Sequence, residues 1–291
     1  MKENRQHPLH KLVWEACVSK FCVLLPALLL LCGSGKANGQ PCEWNNFLHI
    51  GEETTYDIYF KWGFLMPKAG LARFSVQNAR YNDSDAREYK MLFNTTGMFD
   101  RIFKMRDTIT TYFSPNNHLL FSDKRTDEGG YYLIDKLTFA PVGNKVAIRT
   151  ERYGRSGLRF DTTLVADGCI FDMMAVTMYL RGIDWENLRI NDELPFRVVV
   201  GRDIINVRFR YTGQEIVAPD SHIKYRTHHF YIDVYDPAFT QNKAAAEVWV
   251  GDDENHVAIR VRAKLKIGSA EVYLANASQL EHPFSCRILS H

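Results

Sequence analysis

Hydrophobic and polar residues alternate along most of this chain. Tyr56, Ile58, Phe60, Trp62 and Phe64 fall on one side of an extended segment, with Thr55, Asp57, Tyr59 and Lys61 on the other. A period of two, carried by aromatic and β-branched residues, predicts a half-buried strand. Pro67 cannot donate to a sheet ladder and Gly70 tolerates positive φ, so a turn is expected over Met66–Gly70. Leu71–Val76 then resumes as a second strand. A lone hairpin is marginal in water, so its aromatic face needs a cover from the rest of the chain.

Further strands supply it. Gln77–Glu88 is polar and reads as a loop, Tyr89–Thr95 as a strand, and Gly97–Asp107 as a short helix or turn, from the spacing of Met98, Ile102 and Met105. Thr108–Phe113, Leu119–Arg125, Tyr131–Phe139, Lys145–Tyr153 and Leu158–Val165 follow as strands separated by turn residues. Leu194–Val200 and Ile204–Tyr211 form a hairpin around Gly201–Asp203, and strands are expected at Ile223–Val234, Ala246–Val250, Val257–Ile267 and Glu271–Leu274. One helix interrupts the series near Ile170–Arg181. Phe171, Met174, Ala175, Met178 and Tyr179 make one apolar stripe, with Asp167 as the expected N-cap and Gly182 as the stop. The fold class is mostly β: a single antiparallel, strongly curved sheet or barrel-like domain with one packed α-helix.

The 291 residues are 46% hydrophobic and 24% charged, ordinary globular proportions, and the formal net charge of +2 gives no general attraction to nucleic acid or to an anionic membrane. The N-terminus changes the picture. Lys2, Arg5, Lys11 and Lys20 precede an apolar run over Phe21–Cys32, and small residues around Ala37 and Gly39 follow. Residues 1–39 are expected to be a cleaved signal peptide and 43–291 a single β-rich domain. Lipidation at Cys32 is the alternative processing route, and the bulky Leu31 before it argues against that. No later apolar run is long enough for a membrane helix. Export places the three remaining thiols, Cys42, Cys169 and Cys286, where disulfides form. They allow at most one internal bond. Spacing does not choose the pair, and Cys42 with Cys169 is the candidate.

Several short motifs recur in a fixed order: Cys42…Phe47…Gly51-Glu52…Tyr56-Asp57…Phe60…Trp62, then Ala69-Gly70, Met105-Arg106-Asp107-Thr108 and Cys169-Ile170-Phe171-Asp172-Met173. Trp249-Val250…Asp253…His256-Val257…Gly268-Ser269-Ala270 completes the series. The order resembles a family of exported proteins, found mainly in Bacteroidetes and known as a domain of unknown function (DUF3108-like). That resemblance spans nearly the whole chain after the leader. It implies an exported, mostly β protein, and it brings no catalytic residue.

Candidate sites were weighed against plainer roles. In Ile259–Ile267 every second residue is basic, so Arg260 and Arg262 share a face that could meet lipid phosphates or acidic glycans, or could be offset by acidic neighbours. Tyr56, Phe60, Trp62, Arg106, Arg260 and Arg262 are the ligand-binding candidates. Adjacent strand residues such as His228 and His229 point to opposite faces, no zinc spacing is present, and the Asp252–Asn255 run lacks the alternating ligands of a calcium loop, so no metal is expected. No catalytic motif and no cofactor site is found. The expected function is non-enzymatic binding of a lipid-like or anionic envelope ligand, in the periplasm or at the outer membrane. A hydrolase of envelope glycans and a structural protein docking a partner through a sheet face are the alternatives.

Overall fold

The computed structural model describes residues 48–219, 223–236, 239–265 and 268–289. The expected signal peptide, Cys32, Cys42 and His222 lie outside these residues. Among the described residues, fifteen strands form one antiparallel sheet. In chain order they are β1 (Glu53–Lys61), β2 (Lys68–Tyr81), β3 (Ser84–Thr95), β4 (Arg106–Phe113), β5 (Leu119–Glu128), β6 (Tyr131–Val142), β7 (Lys145–Gly154) and β8 (Gly157–Asp167). Then come β9 (Glu193–Val200), β10 (Asp203–Val217), β11 (Ile223–Asp236), β12 (Phe239–Gly251), β13 (Ala258–Lys264), β14 (Ser269–Ser278) and β15 (Arg287–Leu289). Their spatial order is β8-β7-β6-β5-β4-β3-β2-β1-β14-β13-β12-β11-β10-β9, with β15 added beside β11. Two meanders, β1–β8 and β9–β14, are thus joined at the β1–β14 pair. Among the described residues, two short α-helices accompany them, α1 (Gly97–Ile102) and α2 (Met173–Arg181).

The sheet curls around α2. Met174, Ala175, Val176, Met178 and Leu180 pack with Val76, Ile109 and Phe113 from one meander and with Phe196, Val207, Phe209 and Phe230 from the other. The apolar stripe expected on this helix is therefore core. Its start lies later than expected. Asp172, not Asp167, caps it, its carboxylate accepting from the Ala175 N–H at 2.7 Å. Asp167 is instead the last residue of β8. Sequence spacing alone offers both aspartates. Asp172 is also fixed from β4, by the Thr111 hydroxyl at 2.5 Å, whereas the Asp167 carboxylate pairs with Lys145 of β7.

The two ends of the sheet meet through side chains. Val199 of β9 packs with Phe139 and Ile148. The Thr150 hydroxyl donates to the Gly201 carbonyl at 2.6 Å, and Arg202 lies over the Phe160 ring. Three other expectations shift. The turn expected at Met66–Gly70 is an earlier, tighter one, because Trp62 and Leu65 pair with each other. The polar Gln77–Glu88 stretch is not a loop. It is the outer end of the β2–β3 hairpin, turning at Asn82 and Asp83, which both hold positive φ. β12 begins at Phe239, ahead of the expected Ala246.

Candidate functional site

Of the six residues singled out from sequence, Arg260 and Arg262 share one partner, and the six do not form one site. Glu52, just before β1, and Thr54, Tyr56 and Ile58 within it face inward, as the period of two predicts. Tyr56 is core. Its ring meets Phe74 edge-on at 5.5 Å, and burial pushes its hydroxyl up to about 12. Phe60 is half-buried against Phe99 of α1. Trp62 is 58% exposed, because the strand has ended and the chain is already turning. The aromatic face is therefore covered at one end and open to water at the other.

Arg106 spans Asp100, with nitrogens at 2.6 and 3.0 Å from its two carboxylate oxygens. That pairing, with help from Thr95, holds the Asp100 carboxyl at about 2. Arg260 and Arg262 converge on Glu271, at 2.9 and 2.7 Å. Glu271 is only 1% exposed. Burial alone would raise its carboxyl, but the two guanidiniums outweigh burial and hold it below the ordinary range. Trp249 completes the cluster: Arg260 lies over its ring at 4.5 Å, and His229 stacks parallel to it at 4.6 Å. The basic row is thus offset by an acid from the neighbouring strand and braced on an indole. His228 turns the other way, into the core, bonded to Tyr211 at 2.9 Å and facing Asp252 at 3.1 Å.

A different place offers room. The segment after β8 turns at Gly168, whose φ of +68° suits glycine, and any Cβ there would sit 2.9 Å from the Arg197 guanidinium. The chain then lies along β9. The Phe171 N–H donates to the Arg197 carbonyl and the Val199 N–H to the Phe171 carbonyl, both at 2.9 Å. This single parallel bridge covers the middle of an edge strand that also carries Pro195. Cys169, Phe171, Tyr179, Pro195, Phe196, Arg197 and Asn206 line a half-open cavity of about 280 Å³ at this seam. Tyr179 touches both phenyl rings, Phe171 at 4.9 Å and Phe196 at 5.0 Å. Arg197 is half-buried and, among the described residues, makes no ion pair, and burial lowers its pKa. Cys169 is disulfide-bonded, while Cys42, its candidate partner, lies outside the described residues. Cys286 is a free, buried thiol, which burial drives far above its ordinary value.

Sequence reasoning passed over this seam. Phe171 and Tyr179 were assigned to the helix stripe and Phe196 to a strand. No period in the sequence signals that β9's edge and the end of β8 converge. The model of a family described as "Protein of unknown function" matches residues 55–275, from β1 through β14.

The chain belongs to the DUF3108 family.

Among solved structures, it is similar to a β-barrel-like protein of the domain of unknown function DUF1849 from Brucella abortus, with a TM-score of 0.52 and 9% identity over 78% of this chain and 97% of that one. That likeness is one of fold. A candidate exported protein with a YmcC-like fold from Bacteroides fragilis matches at a TM-score of 0.26, 9% identity, over 82% of this chain and 100% of that one. A candidate lipoprotein from Parabacteroides distasonis matches at 0.28, 10% identity, with the same coverage. At those scores neither bears on the argument. No curated protein matches this DUF3108 chain.

Proposed function

We propose that this DUF3108 protein is an exported, non-enzymatic binding protein of the cell envelope, and that it holds a small amphiphile with an acidic end in the seam cavity. One observation carries the reading: a half-buried guanidinium, Arg197, whose burial the nearby Asp167 offsets only in part and which makes no close ion pair among the described residues, stands at the wall of a cavity otherwise lined mainly by Phe171, Tyr179, Phe196 and Pro195. Binding sites are mostly apolar with a few placed polar groups, and a desolvated guanidinium favours a carboxylate or phosphate. At about 280 Å³ the cavity suits one segment of a lipid-like molecule, such as its head and first methylenes. Export is supported by the basic and apolar N-terminal pattern.

The hydrolase alternative asks for two carboxylates facing one cleft. No carboxylate is among the residues lining this cavity, and Cys169 is engaged in a disulfide.

The test is a titration with a fluorescent long-chain fatty acid. Saturable binding is expected, weakened roughly tenfold by Arg197→Ala, the scale of one hydrogen bond to a charged group. Equal affinity for both proteins, or no saturable binding, would overturn the proposal.

A further inference from the structure

The β1–β2 hairpin ends in an apolar spike. Trp62 and Leu65 exchange both backbone hydrogen bonds, at 2.9 and 3.0 Å, leaving only Gly63 and Phe64 at the apex. Gly63 sits at φ +59°, as the first residue of such a two-residue turn requires. So short a turn cannot fold its side chains back. Phe64 is 96% exposed, and Leu65 and Met66 are exposed beside it. α1 flanks the hairpin through the Phe60–Phe99 contact and adds exposed Met98 and Ile102.

Scattered exposed apolar residues need no explanation, but a contiguous apolar patch marks an interaction site. With Phe64 almost fully exposed, the apex projects from the surface. Its surroundings are basic. Lys61, Arg101, Lys104 and Lys264 are exposed, and Lys61 and Lys264 stand level on the sheet, each paired across from Ser269. The acids nearby, Asp57 and Asp100, are taken up by Lys68 and Arg106. Among the described residues, the other four cations make no ion pair.

We propose that this end of the molecule docks onto a bilayer containing anionic phospholipid. Phe64, Trp62 and Leu65 enter the boundary between headgroups and acyl chains. The collar of Lys61, Arg101, Lys104 and Lys264 meets the phosphates. Indole and phenyl rings favour that boundary, and lysine and arginine near a membrane surface are drawn to its negative potential. The inference is independent of the seam cavity, which Phe64 does not line.

The experiment uses the protein purified from its own host and vesicles of phosphatidylethanolamine with phosphatidylglycerol. Flotation is expected to show binding that Phe64→Ser lowers at least tenfold, the scale of removing one buried phenyl ring from the membrane. Lys61→Glu with Lys104→Glu should also lower binding and flatten its salt dependence. Phe64 makes no packing contact that its loss would disturb, so the Ser variant should melt with the wild type. A local readout guards against binding through the N-terminal apolar run: in Phe64→Trp, brominated acyl chains should quench the new indole. An apex indole that stays open to aqueous iodide in the presence of vesicles would overturn the proposal. Self-association in the absence of vesicles that Phe64→Ser abolishes would also overturn it, by assigning the spike to a second copy. Phe64→Ser should keep fatty-acid binding and Arg197→Ala should keep vesicle binding, so failure of one proposal leaves the other legible.

Discussion

Two arginine–glutamate clusters sit on opposite faces of the same sheet. Inside, Arg181 of α2 forks onto Glu52 at 2.5 and 2.9 Å and gives its third nitrogen to the Asn255 carbonyl at 2.7 Å. Outside, Arg260 and Arg262 share Glu271. In each case the acid is almost fully buried, Glu52 at 4% and Glu271 at 1%. The difference lies in the cations. Arg181 is itself 9% exposed, whereas the side chains of Arg260 and Arg262 keep 20% and 31% of theirs in contact with solvent. The inner pair is a desolvated unit that ties α2 to β1 and to the turn before β13. The outer pair of arginines is a lid whose guanidinium groups lie over Trp249. A buried pair strongly resists loss of one partner, while a part-exposed one relaxes into water.

The largest effect should come from breaking the inner pair. Glu52→Gln leaves Arg181 charged and unmatched in the core, and a loss of about 3–5 kcal/mol is expected from urea unfolding. Replacing both partners, Glu52→Gln with Arg181→Met, should cost less than that single change. The outer cluster should be softer. Glu271→Gln is expected to cost roughly 2 kcal/mol by the same measurement, since the freed arginines can turn outward. Equal losses at the two sites would break the comparison. Asp172→Ala removes the helix cap and the Thr111 bond together, and about 1–2 kcal/mol should disappear from the unfolding free energy.

The smallest effect is a pH dependence. Burial lowers the pKa of His228 and His256 inside and of His229 outside, against partial opposition from Asp252, the Arg181 carbonyl and the glutamates Glu215 and Glu247 respectively. The folded values lie below the unfolded one, so on acidification the unfolded chain binds protons first. Stability from these groups is complete above about pH 6.5 and falls as pH drops below it, levelling off once the folded values are passed. Melting temperatures across that range should fall less steeply in His229→Gln than in wild type, with the inner histidines carrying the remainder.

The strands and helix were legible because alternation and the 3.6 period follow directly from which face meets the core. Glu52, Tyr56 and Ile58 fall inward as that rule requires. The rule also put Arg260 and Arg262 on one face, but it carries no information about the neighbouring strand, so Glu271 was invisible as their partner. Trp62 was misplaced for a related reason: alternation continues through it and Phe64, although the strand stops at Lys61. The seam cavity depends on β8 and β9, neighbours in the sequence, standing at opposite ends of the sheet's strand order and converging only because the sheet curls, which no local pattern records.

Native mass spectrometry of the protein purified from its own host tests the central claim most directly. A co-purifying amphiphile of a few hundred daltons, bearing an acidic group and lost in Arg197→Ala, is the expected result. Wild-type protein that flies at its bare mass, or a ligand retained unchanged when Arg197 is removed, would contradict it.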